Sequence, residues 1–220
     1  MEERKCESYF AATTIRDPTG RFVVSLPKKP DILAKLGDSR NIAIRRFLSL
    51  ERRLHSNPGL LEAYEIFIRE YVQLGHMIKI DPNNDSLKPG EKTYYMPHHC
   101  IVRLDNATTK LRLVFDASCP SDTGVSLNDA LMVGPLVQDE LYSIILRFRM
   151  PRFVIVSDLV KMSRQLLVYP SDRLLQRIVF RSSPSELIET FQTYKRLPMV
   201  PHPLHTSQPV VCNNLPWIVK

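Results

Sequence analysis

The sequence predicts a mixed α/β fold of the α+β kind, on three observations. Two consecutive stretches carry apolar residues at helical spacing and are parted by Asn57-Pro58-Gly59. Two apolar–polar alternating runs then flank the polar segment Asp105 to Thr109, the pattern of a β-hairpin. A short apolar run follows at Phe153-Val154-Ile155-Val156 and ends on Ser157-Asp158. Helices and strands that come in separate runs point to α+β rather than to alternating βαβ units.

Taken in order, residues 1–37 read as an extended lead-in. Arg21 to Leu26 forms a short strand there, with Gly20 turning into it and Pro27 ending it. Asp38 or Ser39 caps a helix running to about His55. Its apolar residues Ile44, Phe47, Leu48, Leu50 and Leu54 lie mostly on one face, and Arg45, Arg46, Glu51, Arg52 and Arg53 lie on the opposite one. Those arginines suit either a solvated face or contact with a nucleic-acid backbone. Asn57 is the N-cap of a second helix and Pro58 its first residue. Leu60, Tyr64, Phe67, Ile68, Tyr71 and Leu74 keep its period, Gly75 closes it, and the two helices should pack as an antiparallel hairpin.

Asp81 to Lys92 is a polar, turn-rich loop. The β-hairpin then runs through Cys100 to Leu104 and Leu111 to Asp116. On its second strand Leu111, Leu113 and Phe115 share one face, and Lys110, Arg112, Val114 and Asp116 the other. Ser121 to Gly124 is a turn, Gln138 to Arg149 a helix, and Phe153 to Asp158 a buried strand. Residues 195–220 hold five prolines and no glycine, with no apolar period of either kind.

The composition, 44% hydrophobic and 24% charged over 220 residues, allows a real core. No apolar run of about 18 residues, the length needed to span a bilayer, appears in the sequence. Met1 to Ser8 is charged and lacks the apolar stretch of a secretory signal, so a cytoplasmic or nuclear protein without a membrane partner is expected. The net charge of +7, from 30 Lys and Arg against 23 Asp and Glu, suits a polyanionic partner, although solubility alone also accounts for it. Cys6, Cys100, Cys119 and Cys212 have no metal-ligand spacing and read as reduced thiols. His98-His99-Cys100 alternates across a strand, which keeps the three side chains from converging on one ion.

A carboxylate at the end of a buried strand is a common seat for a divalent cation, which makes Asp158 a candidate metal ligand; helix capping is the plainer role for such a residue. Sequence blocks around it add to this. Tyr94-Tyr95-Met96-Pro97-His98-His99 and Lys110-Leu111-Arg112-Leu113-Val114-Phe115-Asp116-Ala117-Ser118 resemble the fingers of BEL/Pao-type retrotransposon reverse transcriptases. So do Gly124-Val125-Ser126-Leu127-Asn128-Asp129, Leu131-Met132-Val133-Gly134-Pro135 and Ser157-Asp158-Leu159-Val160-Lys161-Met162-Ser163-Arg164-Gln165. Upstream, Leu36-Gly37-Asp38-Ser39 and Arg45-Arg46-Phe47-Leu48-Ser49-Leu50-Glu51 are similar to that family too, and the likeness covers roughly residues 8–194.

The resemblance implies part of a right-hand polymerase fold: residues 1–92 as a lead-in and helical hairpin, 93–194 as fingers and first palm motif, and 195–220 as an irregular tail. It implies an RNA-directed DNA polymerase using Mg2+ or Mn2+, a template–primer of RNA or DNA, and a deoxynucleoside triphosphate. Asp158 then matches the first catalytic aspartate, and the Leu159 backbone carbonyl would help hold the second ion. Arg112 matches the arginine that contacts the incoming triphosphate, with Lys110 and Arg103 as accessory cations. A basic hairpin suits that role because guanidinium groups bind phosphate oxygens in pairs. Arg45 and Arg46 are further candidates for nucleic-acid contact.

The chain departs from the family at three places. Ser163 stands five residues after Asp158, where the family places a Tyr or Phe under the sugar, so discrimination against ribonucleotides should be poor. Leu159-Val160 stands where an acidic residue is common. No Asp follows Asp172, so the family's paired Asp-Asp of the second palm motif is missing, and the chain is expected to be a catalytically inactive fragment. The alternative is a non-catalytic nucleic-acid-binding module that keeps the basic fingers.

Near residue 194 the family continues with Tyr-Gly-Thr-Ala-Ser-Ala-Pro-Phe, whereas this chain reads Pro198-Met199-Val200-Pro201-His202-Pro203-Leu204-His205. Met is encoded only by ATG and Val only by GTN. Read one base earlier, a Pro198 codon ending in T followed by these codons gives TAT for tyrosine and GGT for glycine, followed by triplets compatible with the rest. A frameshift near residues 194–198 and an out-of-frame tail are therefore expected.

Overall fold

A computed structural model describes residues 1–102, 111–135, 139–153 and 165–194. It shows a mixed α/β fold of helices and small sheets. The helices are α1 (Glu2–Thr13), α2 (Pro30–Ala34), α3 (Arg40–His55), α4 (Pro58–Gln73), α5 (Leu127–Ala130) and α6 (Leu141–Arg149). The strands are β1 (Ile15–Arg16), β2 (Phe22–Val24), β3 (Met77–Lys79), β4 (His98–Val102), β5 (Leu111–Phe115), β6 (Leu167–Val168), β7 (Arg177–Phe180) and β8 (Glu189–Thr193).

Helices α3 and α4 form as their apolar spacing predicts. Both Asp38 and Ser39 act at the start of α3, in different ways. The Asp38 carboxylate accepts from Arg40 N at 2.9 Å. Ser39 holds the N-cap position but its hydroxyl accepts from Tyr95 N at 2.7 Å, tying the helix start to the chain entering β4. At α4 the Asn57 side chain accepts from Leu60 N at 3.2 Å. Gly75, at φ +63°, lets His76 N donate to Tyr71 O (2.8 Å) and Gly75 N to Val72 O (3.0 Å). That reciprocal pair satisfies the last carbonyls of the helix.

The two helices pack against each other and against strands: α3 on β4 and β7, α4 on β5 and β3. Phe47, Leu50, Leu54, Tyr64, Ile68 and Tyr71 face inward to meet Leu113, Phe115, Ile178 and Phe191 in one core. β4 and β5 pair antiparallel with Ile101 opposite Arg112 and His98 opposite Phe115. A second sheet has the order β3-β8-β7, antiparallel throughout, with Met77 opposite Thr193. The third joins β1 and β2 antiparallel and β2 and β6 parallel.

Buried polar groups connect distant segments. The Asp172 carboxylate, 1% exposed, accepts from Leu26 N at 2.7 Å and forms an ion pair with Lys28. Arg177, 2% exposed, grips both oxygens of Asp85 and donates to the Tyr95 hydroxyl at 3.3 Å.

The lead-in differs from expectation, since residues 1–37 hold α1 and α2 rather than extended chain alone. Helix α1 buries only Cys6 and Phe10, one turn apart, so its apolar stripe is too thin to show as a period. Glu2 and Glu3 in its first turn stabilise the positive end of the helix dipole. The helix foreseen from Gln138 begins at Leu141, with Glu140 at the N-cap. It buries no residue and leaves Leu141, Tyr142, Phe148 and Met150 exposed. Phe153 is 81% exposed rather than in a buried strand. The rest of that expected strand, Val154 to Asp158, and the tail 195–220 lie outside the described residues.

Candidate nucleic-acid interface

The candidate surface lies on the β4–β5 hairpin. Alternation along β5 turns Leu111, Leu113 and Phe115 into the core and leaves Arg112 exposed, as the sequence predicts. Across the ladder, exposed Ile101 faces Arg112 and exposed His99 faces Val114. The helical hairpin backs the buried face, so the guanidinium of Arg112 is carried on a strand anchored from behind. Such backing matters because a group that neutralises phosphate acts best from a fixed position.

On the inner face, His98 Nε2 lies 2.7 Å from the Tyr64 hydroxyl. Burial, reinforced by the neighbouring His99, lowers the His98 pKa to about 4. Burial pushes the Cys100 thiol up to about 11, with Arg53 opposing the rise. His98 and Cys100 thus share the core face while His99 points away, which separates the three potential ligands as the alternation implies. Among the described residues no group of three His, Cys, Asp or Glu side chains is placed to hold a metal ion.

The segment after β5 is held by local polar bonds. The Asp116 carboxylate accepts from Ser118 N at 3.0 Å and from the Ser118 hydroxyl at 2.6 Å. Ser126 and Asp129 form a reciprocal capping box at α5, with Asp129 N donating to the Ser126 hydroxyl at 3.2 Å and Ser126 N to the Asp129 carboxylate at 2.9 Å. That Ser-x-x-Asp spacing is a capping signal, although no helix was expected at this place.

Arg45 and Arg46 are exposed on α3, on the side away from its buried Phe47, Leu50 and Leu54. The charge of Arg46 acts on the Cys119 thiol, which burial raises, and that of Arg53 acts on Cys100. Helix α3 packs on β4, so its arginines stand on an element that contacts the hairpin. Glu51, on the other side of α3, is gripped by Arg181 at 2.8 and 2.7 Å, and this bond holds its carboxyl below the usual range. The Glu51–Arg181 pair has no local signal in the sequence, since 130 residues separate its members.

Asp158, Leu159, Ser163, Lys110 and Arg103 lie outside the described residues, so of the expected site residues only Arg112, Arg45 and Arg46 are placed. Among the described residues no helix is long and apolar enough to cross a membrane. No protein-family model matches the chain, and no curated protein matches it.

Proposed function

We propose that this chain is a fingers and first-palm segment of a retrotransposon reverse transcriptase of BEL/Pao type, and that it binds nucleic acid through its β-hairpin. The observation that carries this is the placement of Arg112. It stands exposed on a strand whose other face is locked into the core, within the sequence block that resembles the family's triphosphate-binding fingers. Arg45 and Arg46 add exposed positive charge on α3, which packs on β4. The residues that would hold Mg2+ or Mn2+ are Asp158 and the Leu159 carbonyl; a bound ion would stabilise charge developing on a transferred phosphoryl group.

A second reading is a nucleic-acid-binding module without catalysis, which needs only the exposed arginines Arg112, Arg45 and Arg46. In both readings affinity for single-stranded or hybrid oligonucleotides is independent of sequence and falls steeply between about 50 and 200 mM salt. Replacing Lys110 and Arg112 together by Gln lowers the slope of log affinity against log salt by up to about two. Affinity that ignores salt overturns the proposed binding.

A further inference from the structure

Helix α3 carries five arginines, Arg40, Arg45, Arg46, Arg52 and Arg53, against a single carboxylate, Glu51. Arg45 and Arg46 are repeated as Arg52 and Arg53 seven residues later. Seven residues are about two turns, so the two pairs sit about 10.5 Å apart along the axis. At about 100° per residue the four share an arc of roughly 120°, and all four are exposed. Within the heptad between the pairs, only the small, exposed Ser49 falls on that arc.

Glu51 lies about 140° round the axis from Arg46, on the far side. There both its carboxylate oxygens are taken by Arg181, at the end of β7. The fold thus withdraws the one acid of the helix from its arginines. An i,i+3 or i,i+4 acidic partner that would have neutralised them locally is missing from this helix. Helix α3 packs on β4, so the rows stand on an element that contacts the hairpin.

We propose that the paired arginine rows of α3 bind the sugar–phosphate backbone of a single nucleic-acid strand, independently of its sequence, and extend the interface beyond the hairpin. The assignment rests on the nucleic-acid binding proposed above. Guanidinium groups meet phosphate oxygens in bidentate fashion, and two rows in line along one axis suit a pliable strand that can be laid straight across them. An anionic membrane is a poorer occupant, because the arc carries no large apolar side chain between the rows to enter the lipid boundary.

The test measures binding of a fluorescent oligothymidylate by the full chain, by anisotropy, from about 50 to 200 mM salt. Changing Arg45, Arg46, Arg52 and Arg53 to Gln should lower the salt slope by up to about 2.8, at roughly 0.7 per lost phosphate contact on a single strand. The pairs R45Q/R46Q and R52Q/R53Q should each account for about half of this, and all four changed to Lys should keep the slope. Gln is a good helix former, and circular dichroism verifies that α3 persists. A control that removes the same charge elsewhere, with Arg4, Lys5, Arg69 and Lys88 changed to Gln, should leave the slope within one unit of wild type.

If the four-fold Gln variant keeps the wild-type slope while Lys110 and Arg112 replacements reduce it, the α3 surface is refuted and the hairpin stands. If the control lowers the slope as much as the α3 variant, only net charge is at work and the surface is refuted again. A wild-type chain that ignores the oligonucleotide, or prefers vesicles containing phosphatidylserine, overturns both the surface and the proposed binding function.

Discussion

The Tyr64 hydroxyl and His98 Nε2 meet at 2.7 Å inside the core, joining α4 to β4. His98 is 3% exposed, and its Nδ1 has no hydrogen-bond partner among the described residues. Protonation would put a charge and a further buried donor where nothing accepts it. Burial therefore holds the imidazole neutral, with a pKa of about 4.

A pH dependence of stability follows. An unfolded histidine takes its proton near pH 6.5, whereas this one resists to about 4. Above about pH 6.5 both states are neutral and the fold has its full stability. Between there and about 4 the unfolded state alone binds the proton, so stability falls, by about 3 kcal/mol in all. Melting His98→Gln and wild type across this range checks it: the variant should lose most of the slope, and parallel curves would contradict the assignment.

The Arg177–Asp85 pair should respond unequally to loss of either partner. Asp85→Asn leaves a guanidinium that is 2% exposed without its counter-charge, whereas Arg177→Met leaves a carboxylate that is 26% exposed and can hydrate. Breaking a buried pair costs about 3–5 kcal/mol when the remaining charge is trapped. Asp85→Asn should therefore approach that range and Arg177→Met should cost clearly less. Urea denaturation of both variants measures the order, and the reverse order would refute this account.

Two glycines in the helical hairpin should answer oppositely to alanine. Gly75 has φ +63°, a conformation in which a Cβ is strained, so Gly75→Ala should cost about 1 kcal/mol. Gly59 lies in the first turn of α4, and a Cβ there meets only Asn57 Oδ1 at 3.9 Å. Gly59→Ala should stabilise by about 0.4–1 kcal/mol. Thermal melts of the two variants should move in opposite directions.

These 220 residues alone should extend no primer on a template above background, with Mg2+ or with Mn2+. A two-ion centre needs carboxylates beyond Asp158, and losing such electrostatic stabilisation costs about a hundredfold to a thousandfold per group. Primer extension by this chain that Asp158→Ala abolishes would refute the expectation and reject the purely binding module as well.

The helical hairpin was legible because Phe47, Leu50 and Leu54, and Tyr64, Ile68 and Tyr71, repeat at the helical period between strong end signals at Asn57 and Gly75. The exposure of Arg112 was legible for a similar reason, since strict alternation along β5 leaves one face for water. The sheet β3-β8-β7 escaped notice. Its strands have three to five residues, too short to show a period, and β3 is a strand only by pairing with a segment more than a hundred residues away, as in Met77 with Thr193, although β7 and β8 pair locally. Helix α1 escaped because two buried side chains make no pattern. The pairing of Glu51 with Arg181 escaped because neither residue announces the other. The catalytic expectations at Asp158, Leu159 and Ser163 rest on the sequence alone.

The middle place of β8 bears on how the chain is made. β3 leaves the ribosome early, but its partner is Thr193 to Phe191, so 116 residues must follow Met77 before that edge can close. At about 5–20 residues per second, the nascent chain holds an unpaired strand edge for roughly 6–23 seconds. Tyr194 completes the closure, donating its N–H to His76 O at 2.9 Å and accepting from Val168 N at 2.9 Å. A translation product that stops short of β8 would leave Met77 and Ile178 without their sheet neighbour and present sticky edges to chaperones and proteases.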